Sequence, residues 1–148
     1  SHGHEGAGLP LVDAVCARLK VPTAHRDLAR LACRFHGNVH RAFELRATTV
    51  LEMLEACDAL RRPERFADLL LACEADARGR TGLEERDYPQ REYLARCRDV
   101  VAAVQLAEAE RQDLQGPAIA ALLRKRRVDA LEPLRQAASA SRTPASSS

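Results

Sequence analysis

The stretch Ala24-His25-Arg26-Asp27-Leu28-Ala29-Arg30-Leu31-Ala32-Cys33-Arg34-Phe35-His36-Gly37-Asn38-Val39-His40 decides the fold class. Its apolar residues Leu28, Leu31, Ala32, Phe35 and Val39 recur every three or four positions, the spacing of one face of an α-helix. Val21-Pro22-Thr23 breaks the chain before it, and Thr23 is placed to cap a helix starting at Ala24 and ending at His36 or His40.

The same periodicity extends in both directions. Upstream, Leu9 to Lys20 reads as a helix with Leu11, Val12, Val15, Cys16 and Leu19 on one face. Downstream, Thr48 or Thr49 starts a helix holding Val50, Leu51, Met53, Leu54 and Cys57. Pro63 suits the first turn of another that runs to Arg78, with Gly79 as its stop. After a polar loop from Gly82 to Pro89, Gln90 to Gln105 places Tyr93, Leu94, Cys97, Val100, Val101 and Val104 inward. A short acidic segment, Glu108 to Asp113, leads to Gly116-Pro117 and a last helix through Leu131, kinked or ended by Pro133. No strand alternation or internal repeat interrupts the pattern. The expected fold is all-α, with six or seven helices over residues 1–136 and a disordered small-residue tail over 137–148.

Composition agrees. The 148 residues are 46% hydrophobic but only 3% aromatic, so Leu and Ala must fill the core, and Leu, Ala, Arg and Glu all favour helix. A net charge of +2 is too small to argue for nucleic acid, although Arg124, Lys125, Arg126 and Arg127 form a compact basic run. Five cysteines with no CxxC pair read as small buried hydrophobes in a reducing cytoplasm rather than as a disulfide framework. No stretch suggests a membrane span or a signal peptide.

Three segments carry the chemistry. They are His2-Gly3-His4-Glu5-Gly6-Ala7-Gly8, Arg34 to His40, and Ala72-Cys73-Glu74-Ala75-Asp76-Ala77-Arg78-Gly79-Arg80. Imidazoles and one carboxylate on successive helices are a ligand set for a first-row divalent metal that polarises a phosphoryl oxygen or activates water. His36 and His40 are one helical turn apart, His36 at the flank of the apolar stripe and His40 further round toward solvent. An imidazole pair at a helix C-terminus equally serves the helix dipole. Asp76 falls beside Leu69 at the edge of its own helix stripe, and an inward carboxylate needs a cation, a metal or several donors. An ion pair with Arg80 would also satisfy it. Glu74, on the opposite flank, reads as structural or solvated.

His4-Glu5-Gly6-Ala7-Gly8, Phe35-His36, Glu74-Ala75-Asp76-Ala77-Arg78-Gly79-Arg80-Thr81-Gly82, Asp87-Tyr88-Pro89-Gln90 and the closing run from Gly116 to Arg127 together resemble the C-terminal HD domain of the bacterial multifunctional CCA-adding tRNA nucleotidyltransferases. The similarity covers roughly His2 to Arg135. It implies part of an HD-domain-like helical bundle from a cytoplasmic enzyme whose N-terminal head adds CCA to tRNA 3′ ends. It also implies metal-dependent 2′,3′-cyclic phosphodiesterase, 2′-nucleotidase and phosphatase activities in the HD domain. The implied metal positions are His4, His36 and Asp76, with His2 and His40 beside them. The implied metal is nickel, manganese or magnesium, with magnesium serving the transferase head. CTP and ATP would be bound only by that head. The adjacent His-Asp pair that names HD domains is absent from these residues, as is the head's paired-carboxylate motif. The chain therefore reads as starting inside the motif, as a fragment or natural remnant with an incomplete catalytic set. The alternative is a non-catalytic module that grips tRNA through phosphate contacts from Arg124, Lys125 and Arg127. A second copy of this chain is a further partner the reading allows.

Overall fold

The computed structural model describes residues 22–81 and 87–142, with side chains placed from 26–79 and 87–142. Among them are six α-helices, one 3-10 turn and no strand. They are α1 (Pro22–His40), the 3-10 turn (Ala42–Glu44), α2 (Ala47–Ala56), α3 (Pro63–Thr81), α4 (Pro89–Ala103), α5 (Glu108–Asp113) and α6 (Gly116–Arg142). The all-α expectation holds. The helix read at Leu9–Lys20 lies outside the described residues.

The inward faces are those the periodicity marks, except that Val100 and Val104 are only half-buried. Leu28, Ala32, Phe35 and Val39 of α1 are buried, as are Val50, Leu51, Met53 and Leu54 of α2 with Cys57 just beyond it. Phe66, Leu69, Leu70 and Cys73 of α3 and Tyr93, Leu94, Cys97 and Val101 of α4 complete one continuous core. The most extensive pairings are α1 with α3 and α4 with α6, while α6 also packs on α2. Cys33, Cys57, Cys73 and Cys97 are unbridged. Burial pushes the Cys57 and Cys97 thiols up to about 11 and Cys73 up to about 12, so they behave as apolar groups at neutral pH.

The helix α1 starts at Pro22, so Thr23 lies inside it rather than capping it, and two helices run past the stops the sequence suggested. Gly79 does not stop α3, which continues to Thr81. A Cβ at Gly79 would meet nothing within 4 Å, so this exposed glycine costs only its backbone entropy, about 1 kcal/mol. Nor does Pro133 end α6, which runs on to Arg142. The tail expected from Ala137 is therefore helical as far as Arg142, and residues 143–148 lie outside the described set. The reason is packing. Leu131 is fully buried, and Val128, Leu134 and Ala138 pack beside it on the core. That continuous apolar face offsets the roughly 3 kcal/mol that proline costs inside a helix.

A Schellman turn ends α2. Asp58 takes φ 53°, its N–H donates to Glu55 O (3.0 Å), and the Ala59 N–H donates to Leu54 O (2.9 Å). From there Arg65 reaches back to Cys57 O (2.7 Å), and Arg98 of α4 donates to Ala59 O (3.0 Å). These bonds fix how α3 and α4 leave α2, and so where the ends of α1, α3 and α4 meet.

Candidate functional site

The C-terminal turns of α1, the second half of α3 and the start of α4 converge. His36 and His40, one turn apart on α1, lie with ring centroids 5.9 Å apart and planes at 73°. The His36 Nδ1–H donates to both Ala32 O and Cys33 O, each at 3.0 Å, which places the ring's acceptor lone pair on Nε2.

His40 is held differently. Its Nε2 lies 3.2 Å from Asp76 Oδ2 on α3, and its Nδ1 lies 2.6 Å from the Tyr88 hydroxyl just before α4. Burial pushes the Tyr88 hydroxyl well above its ordinary range, with the neighbouring Cys73, Asp76 and Glu74 adding to the effect. Tyr88 is therefore a protonated donor. Its O–H donates to His40 Nδ1, and the His40 Nε2–H donates to the Asp76 carboxylate. One tautomer satisfies both contacts. The ring is a quarter exposed and the Asp76 side chain 15% exposed, so the pair sits at the edge of the core. Gln90 Nε2, on the first turn of α4, donates to the His40 carbonyl (3.0 Å) and closes the end of α1.

Asp76 thus has an imidazole partner. Arg80, its expected ion-pair partner, has no described side chain. Glu74 is a tether: Arg78 of its own helix and Arg91 of α4 both bond it. Of the predicted ligands, the structure brings His40 onto Asp76, and the His36 ring lies edge-on against that of His40. The side chain read as lying toward solvent is the one in contact. The 3.6-residue repeat sets a direction around α1 but not where α3 crosses it. His2 and His4 lie outside the described residues. Among the described residues no group of three or more His, Cys, Asp and Glu side chains is gathered closely enough to hold a metal ion. Both His40 nitrogens are engaged, so the described donors do not by themselves fit a complete metal shell.

Sequence reasoning quoted Tyr88 and Gln90 only as part of Asp87-Tyr88-Pro89-Gln90 and assigned them no role. Pro89 is the signal that was there to use. It opens α4 and holds Tyr88 out of the helix, beside the end of α1.

The basic run of α6 is mostly paired. Arg124 reaches Glu52 (3.4 Å) and Glu55 (3.3 Å) of α2, Lys125 bonds Asp129 (2.9 Å), and Arg126 bonds Glu110 of α5. Arg127 is half-buried, with its Nε enclosed and without a hydrogen-bond partner. Among the described residues no helix is long and apolar enough to cross a membrane.

Three relatives illustrate what the chain is similar to. It is 51% identical over 134 residues to the multifunctional CCA protein of Thioalkalivibrio sulfidiphilus, covering 90% of this chain and 33% of that protein. It is 52% identical over 128 residues to that of Stenotrophomonas maltophilia (86% and 32%), and 47% over 129 residues to that of Pseudoalteromonas atlantica (87% and 32%). No protein-family model and no solved structure matches the chain. The chain spans about a third of the length of the curated relatives it matches.

Proposed function

From its match to a partial region of the multifunctional CCA proteins, we propose that this chain is the downstream part of an HD-type phosphohydrolase domain in a cytoplasmic CCA-adding tRNA nucleotidyltransferase. The whole enzyme would add and repair tRNA 3′ ends with CTP and ATP bound in its transferase head. The HD domain would act on ribonucleotide phosphoesters. The observation that carries this reading is the contact between His40 and Asp76. Two residues of the implied site, 36 positions apart on separate helices, meet at 3.2 Å, and Tyr88 sets the tautomer that allows it.

A divalent metal, nickel, manganese or magnesium, belongs to the completed domain in this reading, since the described residues hold too few donors alone. The adjacent His-Asp pair and the transferase head are proposed to lie in the two thirds of the relatives' length that this chain does not span. What these residues contribute is positioning. Tyr88 and His40 hold the Asp76 carboxylate in one orientation, and the carbonyl-anchored His36 ring is held with Nε2 outward. Partner tRNA would meet Arg124, Lys125 and Arg127 through phosphates. The exposed ion pairs of Arg124 and Lys125, worth about 0–1 kcal/mol each, can be exchanged for phosphate at little cost.

Calorimetric titration with manganese or nickel tests the reading, on this chain and on one extended upstream through a His-Asp pair, alongside 2′,3′-cyclic nucleotide hydrolysis. The extended chain should bind metal and hydrolyse, and this chain should do neither appreciably. Equal binding and hydrolysis by this chain would show the pair to be dispensable. Failure of both chains would leave a non-catalytic tRNA-gripping module as the reading. Incorporation of labelled CTP into tRNA by this chain would remove the assignment of CCA addition to the head.

A further inference from the structure

One face of α1 is a row of arginines. Arg26, Arg30 and Arg34 follow one another at four-residue intervals, and Arg41 lies just past the end of the helix. The Arg41 N–H donates to Gly37 O (3.0 Å), so Arg41 keeps the helical register. At about 100° per residue the four positions fall within an arc of about 80°, and at about 1.5 Å per residue the row is about 22 Å long. All four side chains are exposed. The Arg41 guanidinium lies back along the row, 3.6 Å from where a Cβ on Gly37 would stand. That of Arg34 lies over the Phe35 ring at 4.8 Å.

Among the described residues none of the four pairs with a carboxylate, and Asp27, the one carboxylate of α1, is exposed and bonds none of them. Arginines one turn apart repel, so the row is an unrelieved electrostatic cost to the free chain. The basic run of α6 is different, because Arg124, Lys125 and Arg126 already meet carboxylates. An anion reaching α1 breaks no ion pair. A line of guanidinium groups fits a line of anions, and each planar fork suits a phosphate. A protein or membrane partner would need apolar surface beside the charge. Among the described residues Leu71 of α3 is the only large apolar side chain exposed. Single-stranded RNA would need aromatic rings to stack its bases, and Phe35, the one Phe or Tyr of α1, is buried. The sugar-phosphate backbone of an RNA duplex, recognised by shape and phosphate contacts, is the polyanion that fits.

We infer that the row of Arg26, Arg30, Arg34 and Arg41 is a docking surface for duplex RNA, held through phosphates and indifferent to sequence. Resting on the reading above, in which tRNA is the partner, the duplex part of tRNA lies along α1 and ends beside His40, the residue before Arg41.

The test is fluorescence anisotropy of labelled RNA with the whole chain, using tRNA and an RNA hairpin of unrelated sequence at several salt concentrations. Both should bind, and affinity should fall steeply with salt. Arg26→Gln/Arg30→Gln/Arg34→Gln should weaken hairpin binding about tenfold or more and make the slope of log K against log salt shallower by about 2–3. Arg46→Gln/Arg96→Gln/Arg111→Gln removes the same charge from exposed sites outside the row and should weaken binding by no more than about twofold. Helical circular dichroism should be unchanged in both. If the α1 triple variant loses helix, Arg30→Gln alone should still weaken binding severalfold and lower the slope by about 1. Equal losses in the two triple variants, no hairpin binding at about 50 mM salt, or tighter binding to phosphatidylserine vesicles than to RNA would overturn the proposal. Hairpin binding through the row, beside an extended chain that neither binds metal nor hydrolyses, keeps the surface and removes the phosphohydrolase reading. Hydrolysis by the extended chain with hairpin binding indifferent to the row does the reverse.

Discussion

Tyr88 shows how much one hydroxyl decides. With Tyr88 donating to Nδ1, the proton of neutral His40 sits on Nε2, where Asp76 receives it. Tyr88→Phe keeps the ring and its burial but leaves Nδ1 without that donor. It should lower stability by about 1 kcal/mol in urea denaturation, with helix content unchanged. Nitrogen-15 spectra of the wild-type chain above pH 8 should show the Nε2-protonated tautomer of His40, and Tyr88→Phe should admit the other. An unaltered tautomer in the variant would mean that Asp76 alone sets it.

At the scale of elements, Glu74 ties α3 to α4. Burial alone would push its carboxyl up, but hydrogen bonds from Arg91 and Arg78 outweigh that and hold it below its ordinary value of about 4.5. The sign follows from linkage. A carboxylate with a lowered folded pKa contributes stability that is fully present above about 4.5 and is lost as pH falls through the lowered value. Glu74→Gln should therefore be less stable than the wild type by about 1–2 kcal/mol at pH 7. The difference should shrink toward zero as pH falls below 4.5, measured by urea denaturation at successive pH values. A gap that stays constant with pH would mean that packing, not charge, is what the substitution removes.

For the whole molecule, α6 is the closing element. It packs on α2, on α4 and on the 3-10 turn, yet Leu131 is its one fully buried residue. Leu131→Ala should cost about 2–5 kcal/mol, seen as a lower urea midpoint with an unchanged slope. A loss below 1 kcal/mol would show that the end of α6 is anchored through its ion pairs instead.

The sequence by itself determined the helices and their inward faces. Helical periodicity is a local property, so Leu28, Ala32, Phe35 and Val39, or Phe66, Leu69, Leu70 and Cys73, declare one face without reference to the rest of the chain. It also singled out His36, His40 and Asp76 as chemistry held on neighbouring helices. Only the tertiary structure decided that His40 is the imidazole on Asp76, that Tyr88 and Gln90 complete the contact, and that Arg124 and Arg126 spend their charge on carboxylates of other helices. It also decided that α3 passes Gly79 and that α6 passes Pro133. The physical reason is common to these outcomes. Contacts between residues 16 to 72 positions apart depend on where two helices cross, which no local pattern encodes, and burial of a continuous apolar face outweighs the propensity of a single glycine or proline.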